Sequence, residues 1–371
     1  MLNHARALLS RGWQVTLVGY VENALPPDLE LNQSLHVWDL KPYAAGKLRL
    51  WLRLARGLRA DSRWILAIVQ TPPGFPVLWA LPWRRGRREI VLDWHNLGAS
   101  LYALKRPTAV LRSKLYGLCD YLAAVRATRV WAVSSALAAR VDSSATVIAD
   151  APSAVFCSAA SAPENRLEWW RRVIPDQPPP PAEAAWVVMP SSWGVDEEHE
   201  LILQTARFWS AHAGEWGVGI RPVVVIATGR GPGRDAFERE MGSLPSGPVS
   251  VRVAWLPPEQ YPVILAAADA GLCLHRSSSG LDLPMKLADM RGAGLPAIVL
   301  DYGAVLQELP PDSDRCRFFK SREELGTLVH ELAAHGRGRS GVIVDCETWE
   351  NRWNRILGPW CALLESKGGG R

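Results

Sequence analysis

The sequence predicts an α/β chain of two doubly wound domains, and three observations carry that prediction. The chain has 371 residues, more than a single hydrophobic core usually serves. Short apolar runs recur along it, each closed by a small polar or glycine-rich segment and followed by a helical pattern. That is the rhythm of parallel strands joined by helical crossovers. Residues 270–300, AGLCLHRSSSGLDLPMKLADMRGAGLPAIVL, contain one whole strand–loop–helix–strand unit. Its ligand site is expected outside the C-terminal ends of the strands.

Composition narrows the function classes. Apolar content of 48% is that of a globular chain. The net charge is +5, and residues 41–88 hold eleven Lys and Arg against one acid, Asp61. A patch that local implies an anionic partner, whether membrane surface, phosphate or nucleic acid. No nucleic-acid recognition motif accompanies it, so no nucleic-acid partner is expected. There are 18 Trp. Trp51, Trp64, Trp79 and Trp83 lie near basic residues, as in a membrane-interface belt, whereas core packing explains most of the others. Six scattered Cys without C-x-x-C spacing read as reduced thiols with no zinc site. No signal peptide and no run of 18 apolar residues is seen.

Taken in order, residues 2–11 form a helical pattern, Gly12 ends it, and residues 14–18 form a strand. A doubly wound domain normally opens on a strand and a glycine-rich turn. The first strand of the N-terminal domain is therefore expected to be missing from a truncated start. Residues 46–60 make a basic amphipathic helix with Trp51, Leu54, Ala55 and Leu58 on one face. Such a helix either lies in a bilayer interface or packs on the sheet. Strand 64–69 leads into Gln70-Thr71-Pro72-Pro73-Gly74, and apolar residues 75–83 then meet Arg84, Arg85, Arg87 and Arg88. Strand 90–92 ends in Asp93-Trp94-His95-Asn96-Leu97-Gly98, polar side chains where ligands bind, although a lone His held by a carboxylate is also a common structural device. A helix over 108–128 carries Asp120. Strand 130–133 runs into Ser134-Ser135, an N-cap signal. The expected divisions are a first domain over 1–160, a Pro-rich connection over 161–184, a second domain over 185–345, and a terminal helix over 346–371 that packs back on the first domain.

The second domain starts with strand 185–190. After Ser191-Ser192-Trp193-Gly194, the acids Asp196, Glu197 and Glu198 read as first-turn partners of a helix dipole. Strand 222–227 ends in Thr228-Gly229-Arg230-Gly231-Pro232. Gly229 and Gly231 let a backbone approach a diphosphate, and Arg230 supplies bidentate donors. In the central stretch, strand 271–274 precedes His275, Arg276, Ser277, Ser278, Ser279 and Gly280. The loop N–H groups and the following helix N-terminus are expected to face phosphates. Lys286 would add charge, and Asp289, three residues on, would accept from ribose hydroxyls. An ordinary helix with a solvated Lys–Asp pair shows the same pattern. Asp312-Ser313-Asp314 reads as a surface turn, and no metal site is expected.

Several motifs, in order, resemble the chitobiosyldiphosphodolichol β-mannosyltransferase family. They are Q-x-P-P-G at 70–74, D-W-H-N at 93–96, S-S-W at 191–193, T-G-R-G-P at 228–232, W-L-x-x-x-x-Y-P at 255–262 and H-R-S-S-S-G-L-D-L-P-M-K at 275–286. More loosely, K-x-x-D-M-x-x-x-G-L-P is similar to the sugar-nucleotide helix of two-domain GT-B glycosyltransferases, where a Glu pair is common and this chain has Asp282 and Asp289. Departures are Ala151 for a Lys and Gly194 for a hydroxyl residue.

The resemblance implies a GT-B fold, two Rossmann-like domains facing a cleft. It implies an inverting hexosyltransferase moving mannose from GDP-mannose to GlcNAc2-diphosphodolichol in β-1,4 linkage, an early step of lipid-linked oligosaccharide assembly for N-glycosylation. The implied location is the cytosolic face of the endoplasmic reticulum membrane. The implied partners are GDP-mannose, dolichyl-diphosphochitobiose, a membrane surface met through residues 41–88, and other dolichol-pathway mannosyltransferases. Catalytic candidates are His95, Asp282 and Asp120. Donor-side candidates are Gly229, Arg230, Gly231, Ser277, Ser278, Ser279, Gly280, Lys286, Asp289 and Glu308. Acceptor-side candidates are Asp93, Trp94, Asn96, Pro73 and Gly74. No tightly bound cofactor is expected; Mg²⁺ is compatible with the chemistry, but nothing in the sequence calls for it. A non-catalytic scaffold, or a soluble GT-B transferase with another donor and acceptor, is the alternative.

Overall fold

The structure is a computed structural model that describes residues 1–21, 24–40, 47–60, 64–72, 75–81, 88–158, 163, 165–303, 306, 308–309, 315–335 and 347–368. The chain forms two compact units, Met1–Ala149 with Trp349–Arg371, and Asp150–Thr348.

The first unit begins with α1 (Leu2–Ser10), β1 (Val15–Gly19), α2 (Pro27–Glu30), β2 (Leu35–Asp39) and α3 (Lys47–Ala60). It continues through β3 (Leu66–Thr71), α4 (Phe75–Ala80), β4 (Glu89–Trp94), α5 (Gly98–Lys105) and α6 (Val110–Ala124). Last come β5 (Arg129–Ala132), α7 (Ser135–Val141) and β6 (Thr146–Val147). All its strand pairs are parallel: β1 pairs with β2, and β3-β4-β5-β6 form a second sheet. β4 is the most deeply covered strand, with Ile90, Val91 and Leu92 wholly buried. Ser134 caps α7, its Oγ accepting the Leu137 N–H at 3.0 Å.

The apolar side of α3 has a different use from the interfacial one considered for it. Leu54 and Ala55 are buried against Leu40 and Ala80, with Trp38 beside them. Leu54 and Ala55, spent in that contact, have no surface left to insert into a bilayer.

The second unit holds α8 (Ala154–Ser158), α9 (Arg166–Val173), β7 (Ala185–Pro190), α10 (Glu200–Ala211), β8 (Val223–Thr228) and α11 (Arg234–Met241). Then follow β9 (Val249–Ala254), α12 (Tyr261–Ala267), β10 (Ala270–Cys273), α13 (Met285–Gly292), β11 (Ala297–Leu300), β12 (Cys316–Phe319) and α14 (Arg322–His335). The terminal helix α15 (Trp349–Gly368) belongs to the first unit. There Glu365 takes the Arg11 guanidinium and the Trp13 indole N–H at 2.8 Å.

Six parallel strands run β12-β11-β10-β7-β8-β9. β7, β8 and β10 are buried along their whole length, which is why they read as unbroken apolar runs rather than alternating ones. Val187, Val225 and Leu272 face one layer of helices, and Trp186, Ile226 and Cys273 face the other. Residues 165–184, expected as part of the Pro-rich connection over 161–184, are grouped with this unit. Trp169 and Trp170 of α9 are buried, and Trp170 packs edge-on against Trp186 at 5.6 Å. Buried Asp269 ties the region together, accepting from Arg166 at 3.0 Å and from the Trp186 backbone N–H at 2.8 Å.

Candidate functional site

The strand order of the second unit reverses between β7 and β10. At such a switch point the loops leave in opposite directions and open a crevice at the C-terminal strand ends. A pocket of about 320 Å³ lies there, lined among others by Ser191, Asp196, Glu197, His275, Met285 and Lys286. The two loops clasp each other through their backbones: Glu198 N–H donates to Leu274 O at 3.0 Å, and Arg276 N–H to Asp196 O at 2.8 Å.

Glu197 is the hub of the pocket. Its Oε2 accepts from Ser191 Oγ at 2.6 Å and from the Ser192 and Trp193 N–H groups at 3.0 Å. His199 Nε2 lies 3.1 Å from the same oxygen. Lys286 Nζ reaches the other oxygen and also Pro190 O at 2.9 Å. Burial alone would raise the Glu197 pKa, but His199, Lys286 and Ser191 outweigh it and hold the carboxyl well below the usual range. Glu197 therefore is not a helix-dipole partner, because α10 begins only at Glu200. The strand-to-loop turn around it is strained: buried Trp193 has φ 54°, the left-handed region that side chains disfavour. Its ring stacks on His199 with centroids 4.9 Å apart.

A second polar knot surrounds His275. Nδ1 lies 3.4 Å from Asp196 and Nε2 lies 3.2 Å from Asp282. Burial works against the charge, yet the bonds to Asp196 and Asp282 win and push its pKa up to about 9. Asp282 also accepts from Ser277 and, at 3.3 Å, from Ser279. The serine loop was expected to turn its N–H groups on phosphates. Instead Gly280 N–H donates to Ser277 Oγ at 2.8 Å, and Leu281 N–H to Ser279 Oγ at 3.3 Å. Short hydroxyl side chains reach back to nearby backbone and satisfy it locally. Gly280, at φ 70°, makes the turn; Ser278 is half-buried in the same loop.

The other donor-side candidates scatter around this pocket. Gly229 and Gly231 are required where their loop passes the one after β7: an added Cβ would stand 1.9 Å from Ser191 O and 1.8 Å from Ser192 O. Arg230 is exposed and lies over the Trp255 ring at 3.9 Å, outside the pocket lining. Asp289 is hydrogen-bonded to Tyr261, and burial followed by the nearby Asp150 charge pushes its pKa up to about 7. Glu308 is half-buried and does not line the pocket.

The first unit carries a separate cluster. Asp93, buried at the end of β4, lies 3.1 Å from His4 Nε2 and 2.9 Å from His95 Nε2. Trp353 Nε1, which can only donate, lies 3.1 Å from His4 Nδ1. With Nδ1 accepting from Trp353, His4 turns Nε2 on Asp93 as a donor, and His95 supplies the second donor to Asp93. Burial opposes the Asp93 charge, but the two histidines hold the carboxyl well below the usual range. Trp94 is buried, and Asn96 turns its Oδ1 onto the Leu97 N–H at 2.7 Å. Asp120 is buried on α6 and accepts the Gly98 N–H at the start of α5, while burial pushes its pKa up to about 6. Pro73 and Gly74 lie outside the described residues, as do residues 41–46, 61–63 and 82–87 of the basic segment.

No family model matches the chain. Among curated relatives, the chitobiosyldiphosphodolichol β-mannosyltransferase of Arthroderma benhamiae is 30% identical over 363 residues, covering 90% of this chain and 76% of the relative. That of Yarrowia lipolytica is 30% identical over 390 residues, covering 97% and 82%. This chain belongs to the chitobiosyldiphosphodolichol β-mannosyltransferase family.

The β-mannosyltransferase family has another relative here: the UDP-glycosyltransferase TURAN of Arabidopsis thaliana is 30% identical over 451 residues, covering 99% of this chain and 95% of its own. Solved structures show the fold. A glycosyltransferase from Rickettsia africae superposes with TM-score 0.63 at 12% identity, covering 98% of this chain and 94% of that one. A trehalose-phosphate synthase from Burkholderia vietnamiensis gives 0.65 at 12%, covering 98% and 97%. The chain is a glycosyltransferase of GT-B fold with two Rossmann-like domains. Three β-mannosyltransferase motifs meet at one switch point, since Ser191-Ser192-Trp193, Gly229–Gly231 and the stretch from His275 to Lys286 all touch the pocket or the loop that lines it. Glu197 was read only as one of three helix-dipole acids, and His199 and His4 were not singled out; an acid among acids, or a lone His, carries no signal until its partners are known. Among the described residues no three His, Cys, Asp or Glu side chains gather as a metal site, and no helix is long and apolar enough to cross a membrane.

Proposed function

We propose that this chain transfers mannose from GDP-mannose to the outer GlcNAc of GlcNAc2-diphosphodolichol, with inversion, at the cytosolic face of the endoplasmic reticulum. The observation that carries the reading is the near-full-length kinship with proteins named for that transfer. The site chemistry supports it. An inverting transfer needs one base on the acceptor hydroxyl and positive charge on the departing diphosphate. Lys286 opens α13 beside the helix N-terminus, where a phosphate is favoured by charge and dipole together. Glu197 holds its ammonium in place. Asp289, and after it Glu308, are the nucleoside contacts in this reading.

For the base the reading favours His95. In this reading the His95 imidazole takes the acceptor proton, and the buried Asp93 carboxylate, 2.9 Å from Nε2, stabilises the imidazolium. Asp282 is already committed to His275, Ser277 and Ser279, and Asp120 to the start of α5.

One observation favours a second reading. The kinship to TURAN is equal in identity, so a UDP-sugar donor is the rival. The test is transfer by the full chain to phytanyl-diphosphochitobiose, with GDP-mannose and UDP-sugars offered in parallel. Turnover with GDP-mannose alone supports the proposal. Turnover only with a UDP-sugar overturns it, and GDP binding without any turnover points to a scaffold role.

A further inference from the structure

α6 carries its apolar residues on the wrong side for a helix that only closes a core. Its inner face is held by small and polar contacts: Ser113 Oγ donates to Ala99 O at 2.8 Å, Tyr116 stacks on Tyr102, and Asp120 meets Gly98. The outer face is Leu111, Leu115, Leu118 and Leu122, with Tyr121 beside them and Val125 just past the end. At 100° per residue these four leucines and Val125 fall within an arc of about 80°. All are exposed, Leu111 by 80%, Leu118 by 53% and Val125 by 73%. Single exposed leucines are ordinary, but a contiguous stripe four turns long marks an interaction surface.

The charges around the stripe say what covers it. Lys105, Arg106, Arg112 and Lys114 are all exposed. The only acid in residues 98–127 is Asp120, which is buried on the opposite face. Trp79 of α4, partly exposed, lies under the Arg126 guanidinium at 5.4 Å, next to the helix end. A helix that seats on another helix usually offers mixed charges beside its apolar seam. A second copy laid on this face would add four more cations and no carboxylate. Leucines that enter the acyl boundary, cations that meet lipid phosphates and a Trp at the rim fit an anionic bilayer surface.

We propose that the outer face of α6 is the membrane-docking surface of this chain, lying flat in the interface of an anionic bilayer. It replaces the apolar face of α3, whose Leu54 and Ala55 are spent in the core. It deepens the lipid-acceptor reading, and vesicle binding is read without any transfer, so the two can fail separately.

The test is flotation of the full chain with phosphatidylcholine vesicles, with and without phosphatidylserine. The parent floats with the anionic vesicles and is released by salt. Leu115→Glu with Leu118→Glu lowers the partition by about tenfold per residue, while transfer to a detergent-dispersed acceptor stays at the parent level. Arg112→Glu with Lys114→Glu abolishes the preference for phosphatidylserine. Should the glutamate pair fail to fold by circular dichroism, Leu115→Gln with Leu118→Gln serves the same comparison. A parent that does not float, or a leucine variant that floats like the parent, overturns the proposal. So does a parent dimer, seen by light scattering without vesicles, that the leucine variant splits.

Discussion

Replacing Glu197 by Gln tests whether the pocket is organised around one buried charge. The amide keeps the shape but must present one oxygen and one NH2. If its oxygen stays with Ser191 Oγ and the Ser192 and Trp193 N–H groups, the NH2 faces the Lys286 ammonium, donor against donor. If it flips, three donors lose their acceptor. The Glu197 side chain is 3% exposed and that of Lys286 16%, so water does little to screen the loss. Removing one partner of a buried ion pair costs about 3–5 kcal/mol. The amide recovers part of that, leaving about 3 kcal/mol. In a unit of this size that lowers the melting temperature by roughly 6–12 °C. The assay is thermal unfolding of the full chain followed by circular dichroism, with GDP titrated calorimetrically well below the transition. GDP affinity falls as well, because Lys286 loses the contact that sets its position. A melting temperature within about 2 °C of the parent, together with unchanged GDP affinity, would refute the hub role of Glu197. Lys286→Ala added to Glu197→Ala should cost less than the two singly, by about 1–3 kcal/mol, if the pair is coupled.

His95→Ala should lower turnover by about 10²–10⁴-fold while GDP affinity holds, and near-normal turnover would remove His95 as the base. Gly229→Ala places a Cβ 1.9 Å from Ser191 O at φ 111°; the melting temperature drops through a loss of about 3 kcal/mol or more, and an unchanged value would mean that this loop can move aside. His275 has its pKa raised to about 9 in the folded chain. Its contribution is present in full below the unfolded value near 6.5 and is lost as pH rises through about 9, on the order of 3 kcal/mol. Urea midpoints measured across that window should fall, and His275→Gln should flatten the slope.

Much of the second unit was legible because its strands are buried on both faces. Continuous runs such as Ala185 to Pro190 admit one reading, and the observed β7 has those bounds. Thr228 to Pro232 and His275 to Leu283 were legible as loops at strand ends, since Gly, Ser and Pro punctuate apolar runs. β2 and β12 were not read in advance. Their residues are only partly buried, and Cys316–Phe319 has two exposed positions of four, so no sustained pattern announces an edge strand. α6 was read as a helix, but its outward leucines were not, because apolar spacing of 3.6 does not say which side the core is on.

The sequence by itself determined the two-unit α/β design, the family and the loops that hold its motifs. Local chemistry suffices for these: apolar runs make buried parallel strands, and loop residues sit at their ends wherever the sheet is placed. Only the tertiary structure decided how those loop residues spend their hydrogen bonds. Asp196, Glu197 and Glu198 are three neighbouring acids, and one of them becomes the centre of a pocket because β7 and β10 lie side by side although about 80 residues separate them. His4 and His95 share Asp93 for the same reason, being distant along the chain and joined by the fold. Burial and pairing set the charge of each group, and both depend on neighbours that no local stretch of sequence contains.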